Sequence, residues 1–154
     1  MEVKIVNFPE TKIAVIEHHG PPELEHESVK KLVSWRIANK LPPSDVHRSY
    51  GIHFNNPKQI APSDYRVDLC VSVEHVVEEN EFGVVNKVIP ALRCGKARHY
   101  GSRNNVSAAQ YLFEQWLPQS GEKCAIFPLF FHYLNVGPEI KEDDMVTDVY
   151  LPIL

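Results

Sequence analysis

Short stretches of alternating apolar and polar residues flank two longer stretches whose apolar residues recur every three to four positions. Met1 to Val6 alternates as a strand does, and Ile13-Ala14-Val15-Ile16 predicts a second strand running into His18-His19-Gly20. Pro21-Pro22 then favours a helix start, because proline pre-sets the backbone angle of a first helical turn. From Leu24 to about Ile37 the apolar set Leu24, Leu32 and Trp35, flanked by Val29, Val33 and Ile37, recurs at helical spacing, and Pro42-Pro43 ends the run. Tyr50 to Phe54 and Tyr65 to Val73, rich in β-branched and aromatic residues, predict two strands separated by the turn-forming Asn55-Asn56-Pro57.

The same order then recurs. Val88 to Tyr100 carries strand material up to Gly101. A helix is predicted from about Asn105, an N-capping residue type, to Trp116, with Val106, Ala109, Leu112, Phe113 and Trp116 on its apolar face and Pro118 as its stop. Strands over 125–134 and 146–153 complete the set. The match is positional: Gly20 precedes Trp35 by fifteen residues, as Gly101 precedes Trp116. Arg66-Val67-Asp68-Leu69 aligns with Val146-Thr147-Asp148-Val149 at an offset of 80, as Asn55 does with Asn135. The chain is therefore expected to be one α+β domain, residues 1–154, with an internal repeat of 1–77 and 78–154 and an acidic linker, Glu74 to Gly83. Its duplicated βαββ units would form one antiparallel sheet, with two helices on one face and a ligand cleft on the other.

Side chains alternate across a strand, so an apolar set on one face assigns the other. Val67, Leu69, Val71 and Val73 belong under a helix, which leaves Arg66, Asp68, Cys70 and Ser72 opposite; Thr147, Val149, Leu151 and Ile153 likewise leave Asp148, Tyr150 and Pro152. Between residues 129 and 134 both sets are apolar, Leu129, Phe131 and Tyr133 against Phe130, His132 and Leu134, and alternation does not choose between them. The repeat offset pairs Tyr133 with His53. A face lined by rings and a few carboxylates suits a flat apolar ligand bearing positive charge, each cation–π contact contributing about 0.5–2 kcal/mol. Aromatic residues at strand spacing also serve as ordinary packing. Asp68 and Asp148 sit mid-strand, where Asp is disfavoured, and an edge position or a hydrogen bond to a neighbouring loop would account for them equally.

Composition narrows the function classes. With 44% hydrophobic and 23% charged residues the chain can bury a single core. Sixteen Lys and Arg against twenty Asp and Glu, net charge −4, with no long basic cluster, argue against direct nucleic-acid binding. The longest apolar run, Ala125 to Phe131, is too short to span a bilayer, and no export signal opens the chain, so a cytoplasmic protein is expected. Three widely spaced cysteines, 70, 94 and 124, fit buried thiols better than a disulfide framework. His18, His19 and His26 match no metal-site spacing, and no nucleophile elbow or phosphate loop is present, so neither metal nor cofactor is expected.

Five strings in order point to a known family: Val88-Ile89-Pro90-Ala91-Leu92-Arg93-Cys94; Arg98-His99-Tyr100-Gly101-Ser102-Arg103; Trp116-Leu117-Pro118; Phe130-Phe131-His132-Tyr133-Leu134-Asn135; and Thr147-Asp148-Val149-Tyr150-Leu151-Pro152. Together they resemble the GyrI-like small-molecule-binding domain, also the effector-binding domain of many AraC/XylS-type transcription regulators. The resemblance covers nearly the whole chain and implies the duplicated βαββ fold with a pocket for lipophilic, often cationic compounds. It implies Tyr133 and Tyr150 as aromatic pocket positions. The family's usual pocket glutamate falls at Phe131, and its usual glycine at Leu92, so this chain departs from the pattern at both places.

The expectation is a stand-alone, non-enzymatic binding protein for a lipophilic, cationic small molecule, without a DNA-reading head. Phe131, Tyr133, Tyr150, Trp35 and His53 would supply the walls and Asp68 and Asp148 the charge, with core packing the competing role for Trp35. Two alternatives stand beside it. One is a hydrolase of electrophilic small molecules using the same pocket, which needs a general base such as Asp68, Asp148, His53 or His132. The other is a protein-interaction module of the gyrase-inhibitor type. An unpaired sheet edge would allow a homodimer.

Overall fold

The computed structural model describes residues 1–154, and its backbone divides into two compact units. A continuous unit comprises Thr11–Ile89; a split unit combines Met1–Glu10 with Pro90–Leu154. The units do not follow the sequence halves. β1 (Val3–Phe8) lies in the split unit beside β6 (Leu92–Tyr100), whereas β5 (Val85–Ile89) lies in the continuous unit beside β2 (Thr11–His19). Each sequence half thus lends its opening strand to the unit built mainly from the other half.

The continuous unit runs β2, α1 (Glu25–Ala38), β3 (Ser49–His53), β4 (Arg66–Ser72), β5, and its antiparallel sheet has the order β3-β4-β2-β5. Pro22 opens a single 3-10 turn, Pro22–Leu24, that leads into α1. The helix ends where Asn39 Nδ2 donates to the Trp35 carbonyl (2.8 Å) and Lys40 takes a left-handed φ of 57°, which closes the last turn ahead of Pro42.

The split unit runs β1, β6, a helical stretch, β7 (Phe130–Tyr133), β8 (Val146–Ile153), in the antiparallel order β1-β6-β8-β7. Its helical stretch begins at α2 (Ser107–Tyr111), two residues beyond Asn105, and does not stop at Pro118. It passes through π-helical turns over Leu112–Trp116 into α3 (Leu117–Ser120). A proline removes the amide donor that would serve the carbonyl four residues earlier, and the widened turns span that position. Within the predicted strand at 125–134, only Phe130–Tyr133 forms β7.

The repeat is visible atom by atom. Gly20 and Gly101 both adopt positive φ, 115° and 105°, and their amides donate to the carbonyls of Tyr65 (2.9 Å) and Met145 (2.8 Å). Asn55 Oδ1 accepts from the amide of Arg66 while its Nδ2 donates to Asp64 O; Asn135 makes the same bracket with Val146 and Asp144. Each asparagine therefore ties the start of its unit's long central strand to the turn before it.

Helix-side packing follows the alternation. Val67, Leu69 and Val71 of β4 join Ala14, Ile16, Leu32, Trp35 and Tyr65 in one buried cluster. Val149, Leu151 and Ile153 of β8 join Ala97, Ala108, Leu112, Leu129 and Phe131 in the other. Both central strands are buried along nearly their whole length on both faces. Away from the helices the middle of each sheet is packed with side chains, and Phe54, Val85, Tyr100 and Leu134 at strand ends of that side stay partly exposed. In the split unit Phe130 and Tyr150 stack 4.9 Å apart with planes 5° off parallel, and Phe8 meets both rings edge-on at 4.9 and 5.3 Å. In the continuous unit the same side buries Ile13, Tyr50, Ile52 and Cys70. No helix is long and apolar enough to cross a membrane.

Candidate functional site

Cross-strand partners share a face, so register places every candidate residue. Trp35 lies in the helix-side cluster of the continuous unit, and His53, opposite Val67, points to the same side. Phe131 and Tyr133 lie on the helix side of the split unit, Phe131 in its buried cluster and Tyr133 packed against it. This decides the strand that alternation left open: Phe130 and His132 take the other face, opposite Tyr150 and Asp148. Asp68, Asp148 and Tyr150 also point away from the helices. The seven candidates are thus divided between two faces.

The two aspartates are engaged by the chain's own cations. Asp148 is almost fully buried and accepts from Arg98 through Nε (2.8 Å) and a terminal nitrogen (3.1 Å), with Lys96 Nζ at 3.3 Å. Burial opposes its ionisation, but the Arg98 hydrogen bonds and the Lys96 charge outweigh burial and hold the carboxyl below the usual range. Asp68 receives Lys87 Nζ at 2.8 Å, and the same ammonium reaches Glu17 at 2.8 Å. Burial opposes the charge on Lys87, yet both carboxylates together raise its pKa. Asp148 thus anchors two basic residues of the adjacent strand β6, Asp68 reaches across β2 to Lys87 of β5, and each charge is already balanced within its own unit.

His53 differs. Burial drives its pKa down to about 4, so the half-buried imidazole is neutral at pH 7. The unfolded chain, near 6.5, takes up the proton first, so this contribution to stability is full above about pH 6.5 and is lost as pH falls towards 4. Urea unfolding at pH 7 and pH 4.5 is expected to show a loss of on the order of 2–3 kcal/mol that His53→Gln largely removes. An unchanged difference in the variant would assign the acid sensitivity elsewhere.

Several well-placed residues escaped sequence reasoning. His18 and His99 stand at an offset of 81, the same as Gly20 and Gly101, and both are buried. His18 Nε2 donates to Pro21 O (3.1 Å) and its Nδ1 accepts from Ser28 Oγ (2.8 Å); His99 Nε2 donates to Ser102 O (3.0 Å), with Ser107 Oγ at 3.4 Å from its Nδ1. Each histidine latches a strand end to the following helix, and the offset alone could have revealed it. Arg103 clamps Thr147 Oγ1, both oxygens of Asn135 and Val146 O, with its guanidinium 5.0 Å from the Tyr133 ring centroid. Cys70 and Cys94 are buried thiols, whereas Cys124 is exposed, contrary to expectation.

Apolar surface remains uncovered on the helix side. Along α1, Val29, Val33 and Ile37 are 40%, 46% and 73% exposed, and Phe113 in the split unit is 45% exposed beside half-buried Trp116. Trp116 packs closely against Gly95 of β6: a Cβ there would sit 2.7 Å from two ring carbons.

The family profile described as "GyrI-like small molecule binding domain" matches residues 1–154. The probable transcriptional regulator YgiV of Escherichia coli strain K12 is 34% identical over 154 residues, covering 99% of this chain and 96% of that protein. Among solved structures, the C-terminal domain of EcmrR superposes with a TM-score of 0.77 at 16% identity, over 99% of this chain and 97% of that one. SAV2435, solved with tetraphenylphosphonium bound, gives 0.60 at 10% identity, over 100% and 94%. At these identities the two structures speak to the fold.

Proposed function

The chain belongs to the GyrI-like small-molecule-binding domain family, related to the effector domains of regulators, and from that premise we propose that it binds lipophilic compounds, organic cations foremost, on the helix side. One observation carries this choice of side: Val29, Val33, Ile37 and Phe113 leave apolar surface open beside the helices, whereas the middle of the opposite side is packed, its aspartates already hold Arg98, Lys96 and Lys87, and its exposed apolar residues Phe54, Val85, Tyr100 and Leu134 stand only at strand ends. Desolvating Val33, Ile37 or Phe113 under a ligand supplies about 25 cal/mol for each Å² of apolar surface covered. Trp35, His53, Phe131 and Tyr133 would then form the floors beneath the ligand face in their respective units. Tyr150, Asp68 and Asp148 hold the far side of the sheets and are proposed to act on binding only through stability. Tetraphenylphosphonium, bound by the fold neighbour SAV2435, is a ligand of the expected class.

Hydrolysis gains nothing from Asp68, Asp148 or His53. Asp68 and Asp148 are neutralised by their partners, and His53 is held neutral with a pKa too low to serve as an effective base at pH 7. A thermal-shift panel of lipophilic cations and neutral compounds of similar shape tests the binding proposal. A ligand held at one hundred times its dissociation constant adds about 2.7 kcal/mol, an expected rise of about 5–10 °C in Tm. A panel in which no lipophilic compound moves Tm would overturn it.

A further inference from the structure

We propose that α1 carries the cation-selective part of this ligand face, with Glu25 as the anionic anchor and the ridge Val29, Val33 and Ile37 as the apolar seat; this rests on the helix-side binding proposed above. Residues four apart form a ridge along a helix, and Glu25, Val29, Val33 and Ile37 are successive members of one such row. Three of the four are apolar and exposed, and the first is a carboxylate at one end. That is the complement of a lipophilic cation: a counter-charge beside continuous apolar surface.

Glu25 is distinguished from the chain's other half-buried or buried acids by what holds it. Tyr65, buried in the helix-side cluster, donates its hydroxyl to Glu25 Oε1 at 2.7 Å. A neutral donor orients the carboxylate and leaves its charge intact. By contrast Asp68, Asp148 and Glu122 each face a Lys or Arg within 4 Å, and no Lys or Arg stands that close to Glu25. Of the Lys and Arg residues adjacent to the ridge, Lys30 leans towards Glu27 (3.9 Å) and Arg36 is bonded to Leu41 O, Ser49 Oγ and His47 O; His26 Nε2 meets the same Glu27 oxygen as Lys30, at 2.9 Å. Glu25 is therefore a half-buried negative charge, fixed in place, beside apolar surface and without a cation of its own. A half-desolvated carboxylate attracts a cation more strongly than one fully in water, and a bulky organic cation with diffuse charge gives up less hydration than an ammonium to reach it.

Isothermal titration with tetraphenylphosphonium and, as a neutral comparison, triphenylphosphine oxide tests this on the full chain. Glu25→Gln keeps an oxygen to accept from Tyr65 and removes only the charge. It is expected to weaken tetraphenylphosphonium about tenfold while leaving triphenylphosphine oxide within about twofold. Val33→Gln, at an exposed position, is expected to weaken both compounds several-fold because it removes apolar seat and no charge. If Glu25→Gln leaves the ratio of the two affinities unchanged, Glu25 is not the anchor. If Val33→Gln also leaves both affinities unchanged, the ligand lies off α1, although lipophilic binding itself stands. A wild-type protein that takes up neither compound overturns the helix-side proposal together with this one.

Discussion

Phe130→Ala is expected to cost about 3–5 kcal/mol of stability, the range for emptying a fully buried aromatic site. Phe130 has no exposed surface; it stacks on Tyr150, receives the edge of Phe8 and lies 6.1 Å from the Phe127 ring. Phe130 and Tyr150 are direct cross-strand partners of β7 and β8, and Phe8 comes from β1, so one ring joins three strands of the split unit. Truncation leaves a hole bordered by the rings of Tyr150, Phe8 and Phe127, and Tyr150 and Phe8 cannot close over it without moving strands. A fall in Tm of about 10 °C or more should follow in urea-free scans. Intrinsic affinity for a lipophilic ligand, measured below the new transition, should change little, because the ring faces away from the helices. A loss under 1 kcal/mol would show that this side is loosely packed and reopen it as a ligand face.

Gly95→Ala is the second large effect, out of proportion to one methyl group. The added carbon would lie 2.7 Å from Trp116 Cη2 and Cζ3 and 3.3 Å from Cε3, and an indole ring packed against a sheet cannot yield as the tip of a flexible chain does. Overpacking of this kind costs about 1–3 kcal/mol. It should lift Trp116 off β6 and shift its fluorescence to longer wavelength. The rescue is specific: Gly95→Ala with Trp116→Leu should regain a large part of the loss, since the two positions are in direct contact. At the repeat-related place Ala14 shares a buried cluster with Trp35, so a methyl group is already accommodated there. Neutral stability with unchanged fluorescence in Gly95→Ala would contradict the described contact.

Much of this architecture is legible in the sequence because it is local. The helix-side positions of β4 and β8 follow from alternation, since one parity is uniformly apolar, and the paired glycines and asparagines reveal the repeat because each performs a turn function few residues can replace. What was not legible depends on distant residues. Strand exchange, with β1 beside β6 and β5 beside β2, is a matter of non-local pairing that neither strand's composition encodes. Phe130-Phe131-His132-Tyr133 is apolar on both parities, so its orientation had to wait for its pairing with β8. The aspartates look like ligand acids until Arg98, Lys96 and Lys87 are seen beside them, brought there from other strands. Glu25 carries no mark in the sequence, because an acidic first turn is ordinary helix chemistry; only Tyr65, forty residues away, sets it apart.

The most direct test of the helix-side proposal is a heteronuclear NMR titration of the labelled protein with tetraphenylphosphonium, following methyl and aromatic resonances together. Saturable shifts concentrated on helix-side residues such as Val29, Val33, Ile37 and Phe113, with Phe8, Phe130 and Tyr150 nearly still, are the predicted result. Shifts centred on Phe130, Tyr150 and Asp148 instead would contradict it and return the ligand to the face away from the helices.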